Sequence, residues 1–421
     1  MKIIYLHQYF NTPSMAGGTR SYEMARRLVE RGHEVHMVTS SRDGDASSRH
    51  EQRWIETVEA GIRVHWCSVP YSNQMSYRRR IGAFVKFSRL AARKAASLRG
   101  DVVLATSTPL TIALPGVYAA RRQSIPMVFE VRDLWPEMPI AVGALKNPLM
   151  IRAARRLEHF AYRNAARIVA LSPGMKDGIV ATGYPAENVT VIPNGCDLSL
   201  FRVPKETGVA FRYRQKWLRD RPLVVYAGTL GTINGVDYLA RLAAAVRQRD
   251  VGIRILVIGS GREEEKVRQT ARRLRVLGRN FFLWPSLSKA QMPAVLSAAD
   301  MAASVFLDIP QMWNNSANKV FDALAAGRPT MINHEGWHAD RIRQTGCGLV
   351  LDPKDLQSAA DTLVGAIRDK QWLASARAAA ARVAEEQFAR DELAEQLESV
   401  LLRAIGERQT IPFEQQQKAA A

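Results

Sequence analysis

Along the first half of the chain the hydrophobic pattern gives strand candidates at 3–6, 35–39, 62–68, 102–105, 127–131, 168–171 and 189–192, several of them continuous apolar runs. Runs of this length without polar alternation suit strands buried on both faces of a sheet. Between several of them the apolar positions recur at helical spacing, over 19–31, 152–164 and 174–182. Gly32-His33-Glu34 supplies the turn from the first helix into the second strand. The pattern restarts further on, with strands expected at 223–227, 253–258, 280–284, 301–306, 330–332 and 348–351, and helices at 236–249, 263–277, 289–298 and 317–326. Such alternation predicts an α/β protein built from two doubly wound parallel sheets. The first domain takes 1–200, a polar linker with Pro204 and Gly208 takes 201–220, and the second domain takes 221–387. Alanine-rich charged helices follow to about 405, and 406–421 is expected to be disordered.

One of these helices carries the densest chemistry. Asn314, Asn315, Ser316, Ala317, Asn318 and Lys319 lead into Val320-Phe321-Asp322-Ala323-Leu324, and Gly327 with Pro329 stops the helix before a strand. Ser316 is the expected N-cap. Val320, Ala323, Leu324 and Gly327 share the face that packs on a sheet, while Asn315, Asn318, Lys319 and Asp322 gather beside it. A helix N-terminus next to a lysine suits an anion, and an acid one turn further in suits sugar hydroxyls. The plainer alternative is a solvated amphipathic helix.

Four other segments lie at strand ends. His7 to Arg20 contains Gly17-Gly18 before the first helix but no Gly-Xaa-Gly-Xaa-Xaa-Gly, which argues against a dinucleotide oxidoreductase. Gly228, Thr229, Gly231, Asn234 and Gly235 form one glycine loop of the second domain, and Gly259, Gly261 and Arg262 another. Both can present backbone N–H groups to phosphate. Glu130-Val131-Arg132-Asp133-Leu134-Trp135-Pro136-Glu137 places an arginine and acids at a strand's C-terminal end, either facing a ligand or as an ion pair capping the next helix.

The stretch from Asn314 to Pro329 resembles the nucleotide-sugar segment of the family-4 retaining glycosyltransferases, whose pattern has two glutamates eight positions apart. Asp322 stands at the second and Asn314 at the first; the Asn-Lys-Xaa-Phe-Asp form is similar to the fucosamine-transferase-like branch of O-antigen, capsule and exopolysaccharide assembly. Arg132-Asp133 and Pro193-Asn194-Gly195-Cys196-Asp197 resemble further family segments. The resemblance implies a GT-B fold: two Rossmann-like doubly wound domains facing each other across a cleft, with a last helix at about 388–405 crossing back. It implies retaining, metal-independent transfer, with no cofactor, from a nucleotide sugar (UDP-linked favoured) to an acceptor. Asp322 would hold the ribose, while Gly228, Thr229, Gly231, Asn234, Gly261, Asn315, Ser316 and Asn318 line the donor side. The family's arginine and lysine for the diphosphate are replaced by Thr229 and Asn234, so Lys319 and Arg262 are the cations expected there. Asp133, Arg132 and Lys319 are the expected catalytic group, and His7, Gly17 and Gly18 the acceptor side.

Composition narrows the rest. Hydrophobic residues make up 47% and charged residues 24%, which excludes wholesale disorder. Cys67, Cys196 and Cys347 are scattered, forming no disulfide framework or metal spacing, as in a reducing compartment. The opening apolar run is too short for a signal-peptide core. A net charge of +19 implies an anionic partner. Its sharpest concentration is Arg78, Arg79, Arg80, Lys86 and Arg89, among Ile81, Phe84 and Val85, with no acid from Gln74 to Gly100. Such a helix reads as an interfacial membrane helix or as an ordinary basic surface. The first reading suits a polyprenyl-diphosphate-linked acceptor and a cytoplasmic enzyme peripheral to the inner face of the membrane, with no nucleic acid. The rivals are a sugar-nucleotide epimerase of the same fold and a non-enzymatic basic protein binding membrane or nucleic acid.

Overall fold

The computed structural model describes residues 1–15, 17–42, 53–71 and 77–410. The chain divides into two compact units. Unit 1 comprises Met1–Thr12, Thr19–Pro193 and the residues from Asp391 on; unit 2 comprises Pro13–Gly18 and Asn194–Arg390.

Unit 1 runs β1 (Lys2–Leu6), α1 (Arg20–Glu30), β2 (Glu34–Arg42), β3 (Trp54–Glu59), β4 (Ile62–Tyr71), α2 (Tyr77–Ser97), β5 (Val102–Thr106), α3 (Ala113–Gln123), β6 (Met127–Val131), α4 (Glu137–Ala141), α5 (Pro148–Arg163), β7 (Arg167–Ala170), α6 (Pro173–Val180) and β8 (Val189–Val191). The sheet order is β3-β4-β2-β1-β5-β6-β7-β8, parallel except where β3 pairs with β4. Every residue of β5, β6 and β7 is buried, as continuous apolar runs demand when helices cover both faces. The strand absent from the sequence reading is β3. It is an edge strand whose Trp-Ile-Glu-Thr-Val-Glu alternates partly buried and exposed positions, so no apolar run marks it.

Unit 2 runs α7 (Leu198–Phe201), α8 (Lys205–Arg214), β9 (Leu223–Ala227), α9 (Asp237–Arg249), β10 (Arg254–Ile258), α10 (Glu264–Arg273), β11 (Phe281–Trp284), α11 (Met292–Ala298), β12 (Met301–Ser304), α12 (Asn318–Ala325), β13 (Thr330–Ile332), α13 (Trp337–Thr345), β14 (Gly348–Val350), α14 (Leu356–Arg368) and α15 (Lys370–Phe388). Its sheet, β11-β10-β9-β12-β13-β14, is parallel throughout and has the doubly wound order that reverses between β9 and β12. The stretch 201–220, expected as a linker, belongs to unit 2 and contains α8. Gly208 lets that helix lie against α11, where a Cβ would sit 2.6 Å from Ser297 backbone, and Arg212 locks it through Asp300 at 2.7 Å.

The last helix, α16 (Arg390–Thr410), packs within unit 1 through Arg27–Asp391, Arg31–Glu398, His33–Glu398 and Arg167–Glu407. It runs past 405, so 406–410 are helical, the Arg167–Glu407 pair holding that end; the remaining residues of the expected tail, 411–421, lie outside the described residues. No helix among the described residues is long and apolar enough to cross a membrane.

One ion pair ties unit 1 together. Arg20, at the start of α1, is 1% exposed, and its Nε and Nη2 donate to Glu130 Oε2 at 3.0 and 2.8 Å. Arg20 also donates to the carbonyls of Ile192 and Pro193, while Thr106 donates to Glu130 Oε1 at 2.6 Å. The pair therefore joins α1 to the C-terminal ends of β5, β6 and β8. Removing one partner of a buried pair costs about 3–5 kcal/mol, because the other charge is left uncompensated. Arg20→Met and Glu130→Gln are each expected to lower the melting temperature by about 10 °C in calorimetry. The double variant Arg20→Met/Glu130→Met should melt above either single variant; melting at or below the lower one contradicts this account.

Candidate active site

In an open parallel sheet, backbone groups at the C-terminal rim face outward at the point where the strand order reverses. In unit 2 that point lies between β9 and β12, and Lys319 sits there. Its Nζ donates to Tyr226 Oη at 3.2 Å and lies 4.5 Å from the Tyr226 ring centroid and 4.7 Å from that of Phe306. Tyr226 is the penultimate residue of β9, and its hydroxyl donates in turn to Thr229 O at 3.0 Å. Gly228 makes room for the lysine, since a Cβ there would lie 3.1 Å from Lys319 Cε. Among the described residues no acid pairs with this ammonium, and burial pulls its pKa down to about 7. Two aromatic faces stabilise a cation only partly, so an anion brought beside Lys319 gains a strong partner.

The glycine loops are built against each other. Gly228 N–H donates to Ile258 O and Leu230 N–H to Ser260 O, so these two groups are already engaged. A Cβ on Gly259 would fall 1.9 Å from Gly228 O, and one on Gly261 2.5 Å from Leu230 O. These glycines thus serve close backbone packing as well as any ligand. Gly231 and Asn234 form the next turn, where Asn234 is buried and Gly235 adopts φ 54°. Arg262 is exposed at the edge of the second loop, less constrained than Lys319.

The opening of α12 differs from expectation. Ala317, not Ser316, occupies the cap position and makes no side-chain cap bond. Ser316 Oγ instead accepts from Asn194 N–H at 3.1 Å, and Asn194 Nδ2 donates to Ser316 O. The helix start is left without a side-chain cap because its serine is bound to the Pro193-Asn194-Gly195 segment. Gly327, at φ 61°, closes the other end, with Arg328 N–H bonded to Ala323 O. Asp322 is not a solitary acid. Lys289 Nζ lies 2.5 Å from its Oδ1; burial pushes the carboxyl pKa up and Lys289 draws it back. Asn315 is buried, its N–H and Nδ2 turned to Met312 O and its carbonyl accepting from Trp337 Nε1 at 2.8 Å.

In unit 1 the reversal lies between β1 and β5. His7 follows β1, Ser107 follows β5, and Arg132-Asp133 follows β6. Arg132 N–H donates to Ser107 Oγ at 3.0 Å, and Arg132 Nη1 donates to His7 Nε2 at 3.2 Å. Asp133 has no hydrogen-bond or ion-pair partner among the described residues; burial raises its pKa to about 6, with Arg132 lowering it. His7, Arg132 and Asp133 are therefore brought together. Gly17 and Gly18 cluster with unit 2, where a Cβ on Gly18 would lie 2.9 Å from Asn318 Nδ2.

On α2, Arg79, Lys86 and Arg89 are exposed, as are Ile81 and Val85. Phe84 is only half-exposed, its ring edge-on to Tyr9 at 6.4 Å. The side chains of Arg78 and Arg80 lie outside the described residues. The adjoining α3 and α5 expose Leu114, Tyr118, Leu149 and Met150, and α5 carries Arg152, Arg155, Arg156 and Arg163 along a groove.

Spacing alone did not reveal Tyr226, Phe306, Lys289 or Arg20. The signal for the two aromatics was their place at the ends of strands β9 and β12; Lys289 and Arg20 act across the fold.

Residues 16–195 match the glycosyl transferase 4-like domain, and residues 221–369 match the glycosyl transferases group 1. WbjE of Pseudomonas aeruginosa, named as a glycosyltransferase, is 26% identical over 65% of this chain and 67% of its own. WcaI of Escherichia coli (strain K12), whose name places it in colanic acid biosynthesis as a glycosyl transferase, is 23% identical over 69% of this chain and 73% of its own. The crystal structure of Anabaena Alr3699/HepE in complex with UDP-glucose superposes with a TM-score of 0.72 at 18% identity, over 96% of this chain and 100% of that one. The two parallel-sheet α/β units have the GT-B type of fold.

Burial of Lys319 has a thermodynamic consequence with a definite sign. Its folded pKa of about 7 lies below the ordinary 10.5, so the unfolded chain binds more protons between those values, and stability rises with pH across that window. Lys319→Met is expected to melt above the parent protein at pH 7, with the gap closing towards about pH 10. Melting curves of both proteins across this range provide the check, and a gap independent of pH contradicts the assignment.

Proposed function

The chain belongs to the glycosyltransferases with 4-like and group 1 domains, and from that premise we propose that it moves a sugar from a UDP-linked nucleotide sugar to a polyprenyl-diphosphate-linked saccharide in bacterial surface-polysaccharide synthesis. The observation that carries this reading is the buried Lys319 at the reversal point of the second sheet, which pairs with no acid among the described residues. Unit 2 takes the nucleotide sugar. Lys319 neutralises the diphosphate, assisted by the uncapped start of α12 and by Arg262. Asp322, steadied by Lys289 through Oδ1, offers its other oxygen to the ribose hydroxyls.

Unit 1 takes the acceptor, with Asp133 orienting its hydroxyl and Arg132 and His7 framing that acid. The reaction is retaining and needs no metal. The bond from the anomeric carbon to the phosphate oxygen breaks, and charge collects on the diphosphate beside Lys319. The acceptor oxygen bonds to that carbon and its proton passes to the departing phosphate oxygen. No strong base is then required, which suits a carboxyl group held near pKa 6.

The basic, partly apolar surface of α2, continued by the exposed apolar and arginine side chains of α3 and α5, supports work at the inner face of the cell membrane.

Thermal shift against UDP, GDP, TDP, NAD and duplex DNA tests the donor class, because a ligand of the folded state raises its melting temperature. A selective rise with UDP is expected. In Asp322→Ala the UDP affinity should fall about tenfold. In Asp133→Asn UDP binding should persist while turnover falls at least a hundredfold. A response to NAD or DNA alone contradicts the transferase reading.

Vesicle flotation tests the surface. The protein should float with anionic but not neutral vesicles, and Arg79→Ala/Lys86→Ala/Arg89→Ala should reduce flotation severalfold. Equal binding by parent and variant removes the membrane assignment.

A further inference from the structure

The loop after β13 faces the same rim as Lys319. Asn333 fixes it to the end of β12, its Oδ1 accepting from Phe306 N–H at 2.9 Å and its Nδ2 donating to Phe306 O at 3.1 Å. The next residue, His334, is 2% exposed and sets its ring edge-on to Phe306, 5.5 Å between centroids. Phe306 is also one of the two rings that flank the Lys319 ammonium. His334 and Lys319 thus share one aromatic support.

The tautomer of His334 follows from its single hydrogen bond. Nδ1 lies 2.8 Å from Glu335 O, and a carbonyl can only accept, so Nδ1 carries the proton. Nε2 is therefore a lone-pair acceptor, buried and without a partner among the described residues. Burial, reinforced by the charge of Lys319, lowers the imidazole pKa and keeps the ring neutral. Asn315 repeats the pattern: Nδ2 donates to Met312 O, which leaves Oδ1 as a second buried acceptor without a partner among the described residues. The two loops are clamped together. Trp337 Nε1 donates to Asn315 O, and Gly336 lies so close to Trp313 that a Cβ would fall 2.4 Å from its carbonyl oxygen.

A buried acceptor is costly until a donor group meets it. Ionised phosphate has no proton to offer, whereas a sugar hydroxyl has one. We propose that His334 Nε2 accepts a hydrogen bond from a hydroxyl of the sugar carried on the nucleotide, with Asn315 Oδ1 as a neighbouring acceptor. This rim then reads the sugar while Lys319 holds the diphosphate. The inference rests on the reading of unit 2 as the nucleotide-sugar unit. His338 also has an unpartnered Nε2, but its ring is stacked on Trp337 at 4.0 Å and packed against Phe321, within the aromatic core.

Calorimetric titration of the full chain with UDP, UDP-glucose, UDP-galactose and UDP-N-acetylglucosamine tests the proposal. The informative quantity is the ratio of the UDP affinity to that of the UDP-sugar the parent protein binds best. In His334→Phe, which keeps the bulk and removes the acceptor, that ratio should change about tenfold against the sugar while UDP affinity stays constant. His334→Gln, which retains an acceptor, should recover most of the loss. Unchanged discrimination in His334→Phe overturns the proposal, and so does an equal fall in UDP and UDP-sugar affinity, the mark of a purely structural histidine. A parent protein that binds none of these ligands overturns the nucleotide-sugar reading itself, and this inference with it.

Discussion

A parallel sheet covered by helices on both faces has one place left for chemistry, the rim at the C-terminal ends of its strands. Both units obey that constraint. The central strands are buried along their whole length and mostly apolar, because neither face meets water. Polar residues then collect immediately after the strands: His7, Ser107 and Arg132-Asp133 in unit 1, and Gly228, Asn333 and His334 in unit 2. The rim also explains the glycine loops, where neighbouring backbones approach more closely than a Cβ permits.

Charge at these rims falls into two physically different classes. Arg20 and Glu130 are wholly buried and fully paired, and their field is consumed within the protein. They hold elements in register and leave nothing for a ligand. Among the described residues no opposite charge pairs with Lys319 or Asp133, and burial moves both pKa values towards neutrality. Groups in that condition respond to what binds beside them. Asp322 stands between the classes, sharing one oxygen with Lys289.

The sequence showed the fold more clearly than the site. Apolar-rich segments located the parallel strands, because a strand buried on two faces is mostly apolar. The edge strand β3 escaped because two of its six positions are exposed and none is fully buried, and α8 escaped because its polar, basic sequence resembles a connector until Gly208 is seen against Ser297. Lys319 stood out through its neighbours in the chain, but its character depends on Tyr226, 93 residues away, and on Phe306. The partner of Asp322 is 33 residues distant and that of Arg20 is 110. Such pairings follow from strand order, which spacing does not encode. Ser316 illustrates the converse: its local signal for a cap was sound, yet a stronger partner, Asn194, took the hydroxyl.

The placement of α16 in unit 1 bears on how the molecule comes into being. Unit 1 contains both the first residues of the chain and the segment from Asp391 on, whereas most of unit 2 lies between them. A ribosome therefore delivers the whole of unit 2 before it releases the helix that pairs with Arg27, Arg31 and Arg167. The domain begun first is finished last. Arg31 at the end of α1 and Arg167 of β7 are made before all of unit 2, and their partners Glu398 and Glu407 after it, so the usual order of vectorial folding, one domain completed before the next, is reversed in its final step.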